Sequence, residues 1–191
     1  ACEMVSEILQ YIGDNIRISP EEADCMYSGI MIDTNNFMTK TGVRTFEAAA
    51  FLRRNGADVV RVRKLFRDRL EDYRARAEAI QKAEIYHGAF AISVCPSEGL
   101  ESPTVVGAQA ANELLDIVGI KASFILTQMG DTIYFSARSI DEINVQIIME
   151  RLGGGGHRTI AGAQLKGATI DEEAKEKVKG VIDMMLEKGE I

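Results

Sequence analysis

The sequence feature that most limits the fold is a pair of short apolar runs separated by two turn residues. Residues 124–129 and 132–138 are rich in apolar, β-branched and aromatic side chains, and Gly130-Asp131 between them suits the tight turn of a two-residue hairpin. We therefore predict an antiparallel hairpin in the second half of the chain. Neighbouring segments alternate between the two patterns: a strand at 88–94, helices at 104–118 and 140–152, and a final helix after the capping residues Thr169 and Glu172. This alternation predicts an α/β fold for the second half.

The first half carries the signals of helices. Ser19 can cap a helix that begins at Pro20, and Glu22 completes a capping box with Ser19. A second helix is predicted at 45–54, after turn residues at 33–36.

A third helical pattern joins the two halves. From residue 58 to residue 80, apolar side chains recur every three or four positions, which predicts one long amphipathic helix. The predicted organisation is therefore a helical part at 1–57, a connecting helix at 58–83, and an α/β domain with a mixed sheet at 84–191.

Composition excludes several classes of protein. The 191 residues carry a formal net charge of -7, which argues against binding to long nucleic acids, because that binding needs many Lys and Arg contacts to phosphates. The three cysteines are far apart, which excludes a disulfide framework and favours a reducing, cytoplasmic setting. No window of the sequence approaches the roughly 18 apolar residues of a membrane-spanning helix.

The strongest candidate for a ligand site is the run of four glycines from Gly153 to Gly156, followed by His157. Each ordered glycine costs about 0.5–1 kcal/mol of backbone entropy relative to alanine, so four in a row indicate that the backbone comes close to something. Consecutive backbone N–H groups without side chains can hold a phosphate, and the imidazole can donate to a phosphate oxygen. A flexible loop with a structural histidine fits this spacing equally well.

Two further positions could carry ligand chemistry. Asp33 follows a predicted helix and could bind a divalent cation through its carboxylate, although an Asp in a turn more often accepts from local backbone N–H groups. Arg138 precedes Ser139 at the end of the hairpin, and its planar fork suits phosphate. An arginine at a strand end faces solvent by default, so both interpretations stay open.

Taken together, these motifs resemble the DHH phosphoesterase superfamily. Residues 24–37 and 40–49, with their Thr-Gly-Val-Arg-Thr-Phe-Glu-Ala-Ala, are similar to the GdpP (YybT) branch, the cyclic-di-AMP phosphodiesterases. The run 154–157, with 161–162, resembles the GGGH signature of the DHH-associated domain, and 136–139 resembles the strand-end motif that precedes it. The resemblance covers essentially the whole chain.

The resemblance implies a two-lobed hydrolase that converts cyclic-di-AMP to the linear dinucleotide pApA. Two manganese ions in the DHH lobe would activate water, and the DHH-associated lobe would present the substrate phosphates. Asp33 aligns with a metal-binding aspartate. The residues expected to bind the cyclic dinucleotide are Gly154, Gly155, Gly156, His157, Arg138 and Ser139. The resemblance also leaves a homodimer open and implies a membrane-anchored parent with a cytoplasmic catalytic region.

The metal motifs of the family are missing from this sequence. Family members carry a His-x-x-x-Asp-x-Asp motif and an Asp-His-His tripeptide, whereas this chain has neither, and His87 and His157 are its only histidines. Because residues 1–9 resemble the helix that follows the tripeptide, we expect the chain to be the C-terminal portion of a longer enzyme. We therefore predict that it has no complete catalytic set, binds manganese poorly and is inactive alone.

Two other functions stay open at this stage. The parent could be an oligoribonuclease of the same superfamily, with a short oligoribonucleotide as its substrate. Alternatively, the chain could be a nucleotide-binding module that has no catalytic activity.

Overall fold

The computed structural model describes residues 1–12, 17–167 and 173–191, and it divides the chain into two compact units, Ala1–Arg67 and Asp68–Ile191. The described residues form eight helices and six strands. None of these helices combines the length and the hydropathy that crossing a membrane requires. Thr169 and Glu172, the predicted capping residues of the last helix, lie outside the described residues.

The first unit is helical. Its helices are α1 (Cys2–Leu9), α2 (Pro20–Asp33), α3 (Val43–Arg54) and α4 (Val59–Leu65). The predicted capping box of α2 is confirmed: the Ser19 hydroxyl accepts from the backbone N–H of Glu22 at 3.2 Å, and the Glu22 carboxylate accepts from that of Ser19 at 2.8 Å. The core of this unit contains Ala23, Ile30, Ala48, Leu52 and Ala57.

The predicted connecting helix is wrong in one respect, because the chain leaves the helical conformation between α4 and α5 (Leu70–Gln81). Arg69 is extended, with φ −71° and ψ 151°. Asp68 accepts a hydrogen bond from Arg76 at 2.6 Å. Residues eight apart on a continuous helix are separated by about 12 Å along its axis, so this contact requires the helix to be interrupted. The three-part division at 57 and 83 stays a prediction.

The second unit is built on one six-stranded sheet. The strands are β1 (Glu84–Tyr86), β2 (Phe90–Cys95), β3 (Ala122–Met129), β4 (Thr132–Ser139), β5 (Gly155–His157) and β6 (Ile160–Lys166), and their order is β1-β2-β3-β4-β6-β5. β2 and β3 are parallel, whereas the other neighbours are antiparallel. The predicted α/β fold with a mixed sheet is therefore confirmed.

The predicted hairpin is confirmed as β3 and β4. Met129 pairs with Thr132 across a two-residue turn, and Gly130 has a φ of +61°. That left-handed conformation is easy for glycine and explains why the turn has this residue.

Helices cover both faces of the sheet in the second unit. They are α5, α6 (Pro103–Leu114), α7 (Val145–Arg151) and α8 (Lys175–Glu187). Ile125 packs in a cluster with Val106 and Leu114 of α6, whereas Phe124 and Phe135 belong to a second cluster that contains residues of α7 and α8. Because successive strand residues point to opposite faces, the sheet has an α6 face and an α7/α8 face.

The segment after β4 also differs from the prediction. The helix predicted at 140–152 begins only at Val145, because the Asn144 side chain caps it by accepting from the backbone N–H of Gln146 at 3.1 Å. The glycine run that follows is not a loop throughout, since Gly155–His157 forms the edge strand β5.

Candidate functional site

Two of the predicted site residues lie in one row of the sheet. Arg138 on β4 and His157 on β5 are both paired with Ile160 on the intervening strand β6. Directly paired residues of antiparallel strands point to the same face, so these three side chains share the α6 face. Ile160 is 46% exposed, which shows that the row is open to solvent. We call Arg138, Ile160 and His157 the cationic row, after the guanidinium of Arg138.

Arg138 is half-buried and is held by two hydrogen bonds. Its Nε donates to the Asn112 side-chain oxygen on α6 at 3.1 Å, and its Nη1 donates to the Ala137 carbonyl at 2.9 Å. Within the described residues, no carboxylate forms an ion pair with it. Burial therefore lowers the pKa of the Arg138 guanidinium, with no acid to offset the effect. A guanidinium has five N–H donors, so the others are available to an anion.

His157 completes the cationic row at the edge of the sheet. Its side chain is exposed, and no side chain in the described part of the protein hydrogen-bonds to it. Because β5 is an edge strand, every second backbone N–H along it points away from β6 and is unpaired by the sheet. The edge therefore offers both an imidazole and backbone donors to a ligand.

The first two glycines of the run end helix α7. Gly153 has a φ of +80°, and its N–H donates to the Glu150 carbonyl at 3.0 Å. The N–H of Gly154 donates to the Met149 carbonyl at 2.8 Å. This is a glycine helix end in which the orphan carbonyls of the last turn are satisfied. The amide of Gly154 is therefore hydrogen-bonded within the protein, and phosphate binding by this residue stays a prediction.

The last three glycines of the run, Gly154 to Gly156, differ in the space around them. A methyl group on Gly154 or Gly156 would lie within 2.6 Å of backbone atoms of β6. Both glycines are thus needed for strand packing. A methyl group on Gly155 would meet nothing within 4 Å among the described atoms. Gly155 pairs with Gly162, which pairs with Ser136, so this open space adjoins the cationic row on the α6 face.

Ser139 lies away from the cationic row. It follows Arg138 on β4 and therefore points to the opposite face, where it is 6% exposed. Its hydroxyl donates to the Ile143 carbonyl at 2.6 Å. The hydroxyl thus stabilises the turn before α7, and substrate contact by Ser139 stays a prediction.

Asp33 is the last residue of α2 in the first unit. Its side chain is 66% exposed and lies 3.7 Å from the N-terminal amine of Ala1. Across residues 1–12, 17–167 and 173–191, no group of three or more His, Cys, Asp or Glu side chains could hold a metal ion. Metal binding by the Asp33 carboxylate stays a prediction.

The sequence comparison identifies the family of this chain. Residues 89–188 match the DHHA1 domain family, and this match is more than half of the 191 residues. The chain belongs to the DHHA1 family. The resemblance of the second half of the chain to the DHH-associated domain is thereby confirmed. That the glycine run and the strand-end motif are the family's signatures stays a prediction. The DHHA1 match includes the whole cationic row and Asn112.

Two relatives cover almost the whole chain. The cyclic-di-AMP phosphodiesterase PdeA of Listeria monocytogenes is 41% identical over 180 residues, which are 94% of this chain and 27% of that protein. The cyclic-di-AMP phosphodiesterase GdpP of Bacillus subtilis is 42% identical over 189 residues, which are 98% of this chain and 28% of that protein. The chain thus spans about a quarter of the length of these relatives.

The fold has a counterpart among solved structures. An exopolyphosphatase-related protein from Bacteroides fragilis superposes with a TM-score of 0.80 and covers 98% of this chain and 56% of that chain. The two sequences are 24% identical, so the similarity shows a shared fold.

Proposed function

We propose that this chain is the C-terminal portion of a phosphodiesterase that hydrolyses cyclic-di-AMP to pApA. In this proposal the α6 face of the second unit binds the substrate phosphates. Hydrolysis adds one water across one of the two phosphodiester bonds of the cyclic dinucleotide. The names and the 41–42% identity of the two relatives support this substrate.

One observation carries the proposal: Arg138 and His157 share a row on either side of Ile160, and Arg138 is half-buried without a described carboxylate partner. A guanidinium that is removed from water is stabilised by an opposite charge. Because the described protein supplies none there, an anionic ligand would stabilise the side chain. Phosphate suits the planar donor edge of an arginine.

The spacing of the row suits a dinucleotide. Neighbouring strands are about 4.8 Å apart, so the backbones at Arg138 and His157 are separated by roughly 10 Å across β6. Side chains reaching inward from the two ends can contact different parts of one sugar–phosphate ring. The exposed Ile160 between them offers an apolar floor.

Catalysis belongs to the intact protein in this proposal. The family resemblance implies two manganese ions, with Asp33 as one ligand, but the sequence has neither of the family's metal motifs. We therefore assign no reaction step to the chain and expect it to bind the substrate without turnover. A cytoplasmic catalytic region in a membrane-anchored parent and a homodimer stay predictions from the resemblance.

Calorimetry of the chain with cyclic-di-AMP tests the proposed binding. We expect the wild type to bind and His157→Ala to bind about tenfold less tightly. Arg158→Ala is the matched control, because Arg158 is adjacent but exposed and hydrogen-bonds to Asp141. It should bind as the wild type does.

The same experiment separates the alternatives. Tighter binding of a short oligoribonucleotide than of cyclic-di-AMP would favour an oligoribonuclease parent. Turnover of cyclic-di-AMP by this chain alone would contradict the predicted lack of activity, and equal affinities of the wild type and His157→Ala would move the phosphate site away from the cationic row.

A further inference from the structure

The hydrogen bond between Arg138 and Asn112 distinguishes this arginine from a structural one. Arg76 and Arg138 are the two described arginines that are not exposed. Arg76 forms ion pairs with Asp68 and Glu113, each at 2.6 Å. Arg138 instead donates to a neutral amide oxygen, although Glu113 is the very next residue on α6.

We propose that Asn112 is a positioning residue that orients Arg138 while leaving its positive charge for the anion. The inference rests on the proposed function of the same site. An amide oxygen accepts one N–H and fixes the guanidinium plane, as a carboxylate would. An amide carries no charge, however, so it does not neutralise the guanidinium.

Some N–H donors of the guanidinium bond to the protein, and the others are left for a ligand. Nε faces Asn112 and Nη1 reaches the Ala137 carbonyl, so both bonds anchor the side chain from the protein side. The donors that remain are held in a fixed plane before a ligand arrives. Less conformational entropy is then lost on binding.

An Asp at position 112 would pair with the positive charge of Arg138 that Asn112 leaves for a ligand. The side chain has nearly the same shape and can accept the same hydrogen bond, but its charge would form an ion pair with Arg138. The ion pair would keep or increase the stability of the fold. It would also compete with a phosphate for the charge of the arginine. The same charge introduced away from Arg138, at a residue that only supports the fold, would cause no such loss of ligand affinity.

Asn112→Asp in the whole chain is the test, with Asn144→Asp as the matched control. Asn144 caps α7 by accepting from Gln146, and Asp is an equally good cap, so this variant adds the same charge away from Arg138. Calorimetry with cyclic-di-AMP should show binding at least about tenfold weaker for Asn112→Asp. Asn144→Asp should bind nearly as tightly as the wild type.

Two further measurements make the result specific. Thermal unfolding should show that Asn112→Asp is as stable as the wild type, which rules out misfolding as the cause of weak binding. The affinity of Asn112→Asp should also depend less steeply on salt concentration, because one positive charge fewer faces the ligand.

Inorganic pyrophosphate serves as a second probe and separates this inference from the proposed function. If the wild type binds cyclic-di-AMP and Asn112→Asp binds it equally well, the role of Asn112 is overturned while the proposed function stands. If the wild type binds only pyrophosphate and Asn112→Asp loses it, the role of Asn112 stands while the proposed substrate fails. If the wild type binds neither probe, both are overturned.

Discussion

Gly154 lies so close to Ala163 that a methyl group on the glycine would fall 2.6 Å from the Cα of the alanine. Gly155, the next residue, has open space in the corresponding direction. A glycine is therefore favoured at these two neighbouring positions for different physical reasons. Gly154 permits strand packing, whereas Gly155 leaves room beside the cationic row.

Gly155→Ala should separate binding from folding. The backbone there is not in the left-handed region and the added methyl meets nothing, so stability should be unchanged or higher by up to about 1 kcal/mol. The methyl would project into the proposed phosphate site and weaken binding of cyclic-di-AMP by about tenfold. Chemical denaturation and calorimetry on the same sample check both expectations.

Gly154→Ala is the matched control. Its methyl would overlap the backbone of β6, and forced overpacking costs about 1–3 kcal/mol. This variant should unfold more easily than Gly155→Ala. Wild-type affinity in a folded Gly155→Ala would show that the open space beside Gly155 is not used by the ligand.

Asp183 should make the stability of the second unit depend on acidic pH. Its carboxylate on α8 accepts from His87 at 2.8 Å and from the Tyr86 hydroxyl at 2.8 Å. These bonds, that from His87 first, hold the pKa of Asp183 below the ordinary aspartate value of about 3.9. A lowered folded-state pKa contributes stability above the unfolded value, and this contribution is lost as the pH falls through the folded value.

Thermal unfolding between pH 6 and 3 should therefore show a smaller fall for Asp183→Asn than for the wild type, because the amide cannot titrate. Glu98→Gln, at an exposed position, serves as the control and should keep the wild-type profile. An identical pH profile for Asp183→Asn and the wild type would contradict the role assigned to these hydrogen bonds.

Local signals in the sequence predicted much of the fold. The capping box at Ser19 and the Gly130-Asp131 turn are settled by residues close in sequence, and both are confirmed. β5 and β6 were not predicted, because glycine and alanine carry no alternating pattern and the strands form only through sheet pairing, β6 with β4 and β5 with β6. The interruption near Asp68 was missed for a similar reason, since its contact with Arg76 is not visible in periodicity.

Only part of the candidate site was predictable from the sequence. Arg138 and His157 stand out through their motifs, whereas their alignment opposite Ile160 requires the strand register. Asn112 carries no signal of its own, because it resembles any polar residue on a helix surface. Its role depends on a hydrogen bond to a residue far along the chain.

Arg76 should contribute strongly to the free energy of unfolding, in contrast to Arg138. Its side chain is 8% exposed and contacts Asp68, Glu113 and Gln109. Arg76→Met should destabilise the protein by about 2 kcal/mol, because hydrogen bonds to charged groups are lost and Glu113 keeps a partly buried charge. Denaturant unfolding measures the change.

The exposed pair of Lys82 and Glu78 is the control for Arg76. Lys82→Met should cost less than about 0.5 kcal/mol, because exposed ion pairs of neighbouring helix turns contribute little. Equal effects of the two substitutions would show that the Arg76 network adds nothing beyond a surface ion pair.

Thr127 presents the opposite case, a buried hydroxyl whose removal should not harm the fold. Its Oγ1 is the buried side-chain polar atom for which the described residues provide no hydrogen-bond partner. By contrast, the Ser123 hydroxyl on the same strand donates to the Ala111 carbonyl at 2.6 Å. Thr127→Val should therefore be neutral or stabilising by up to about 1 kcal/mol, whereas Ser123→Ala should cost about 1 kcal/mol. If denaturant unfolding shows Thr127→Val to be the more damaging change, the hydroxyl has a partner, such as a bound water, that stabilises it.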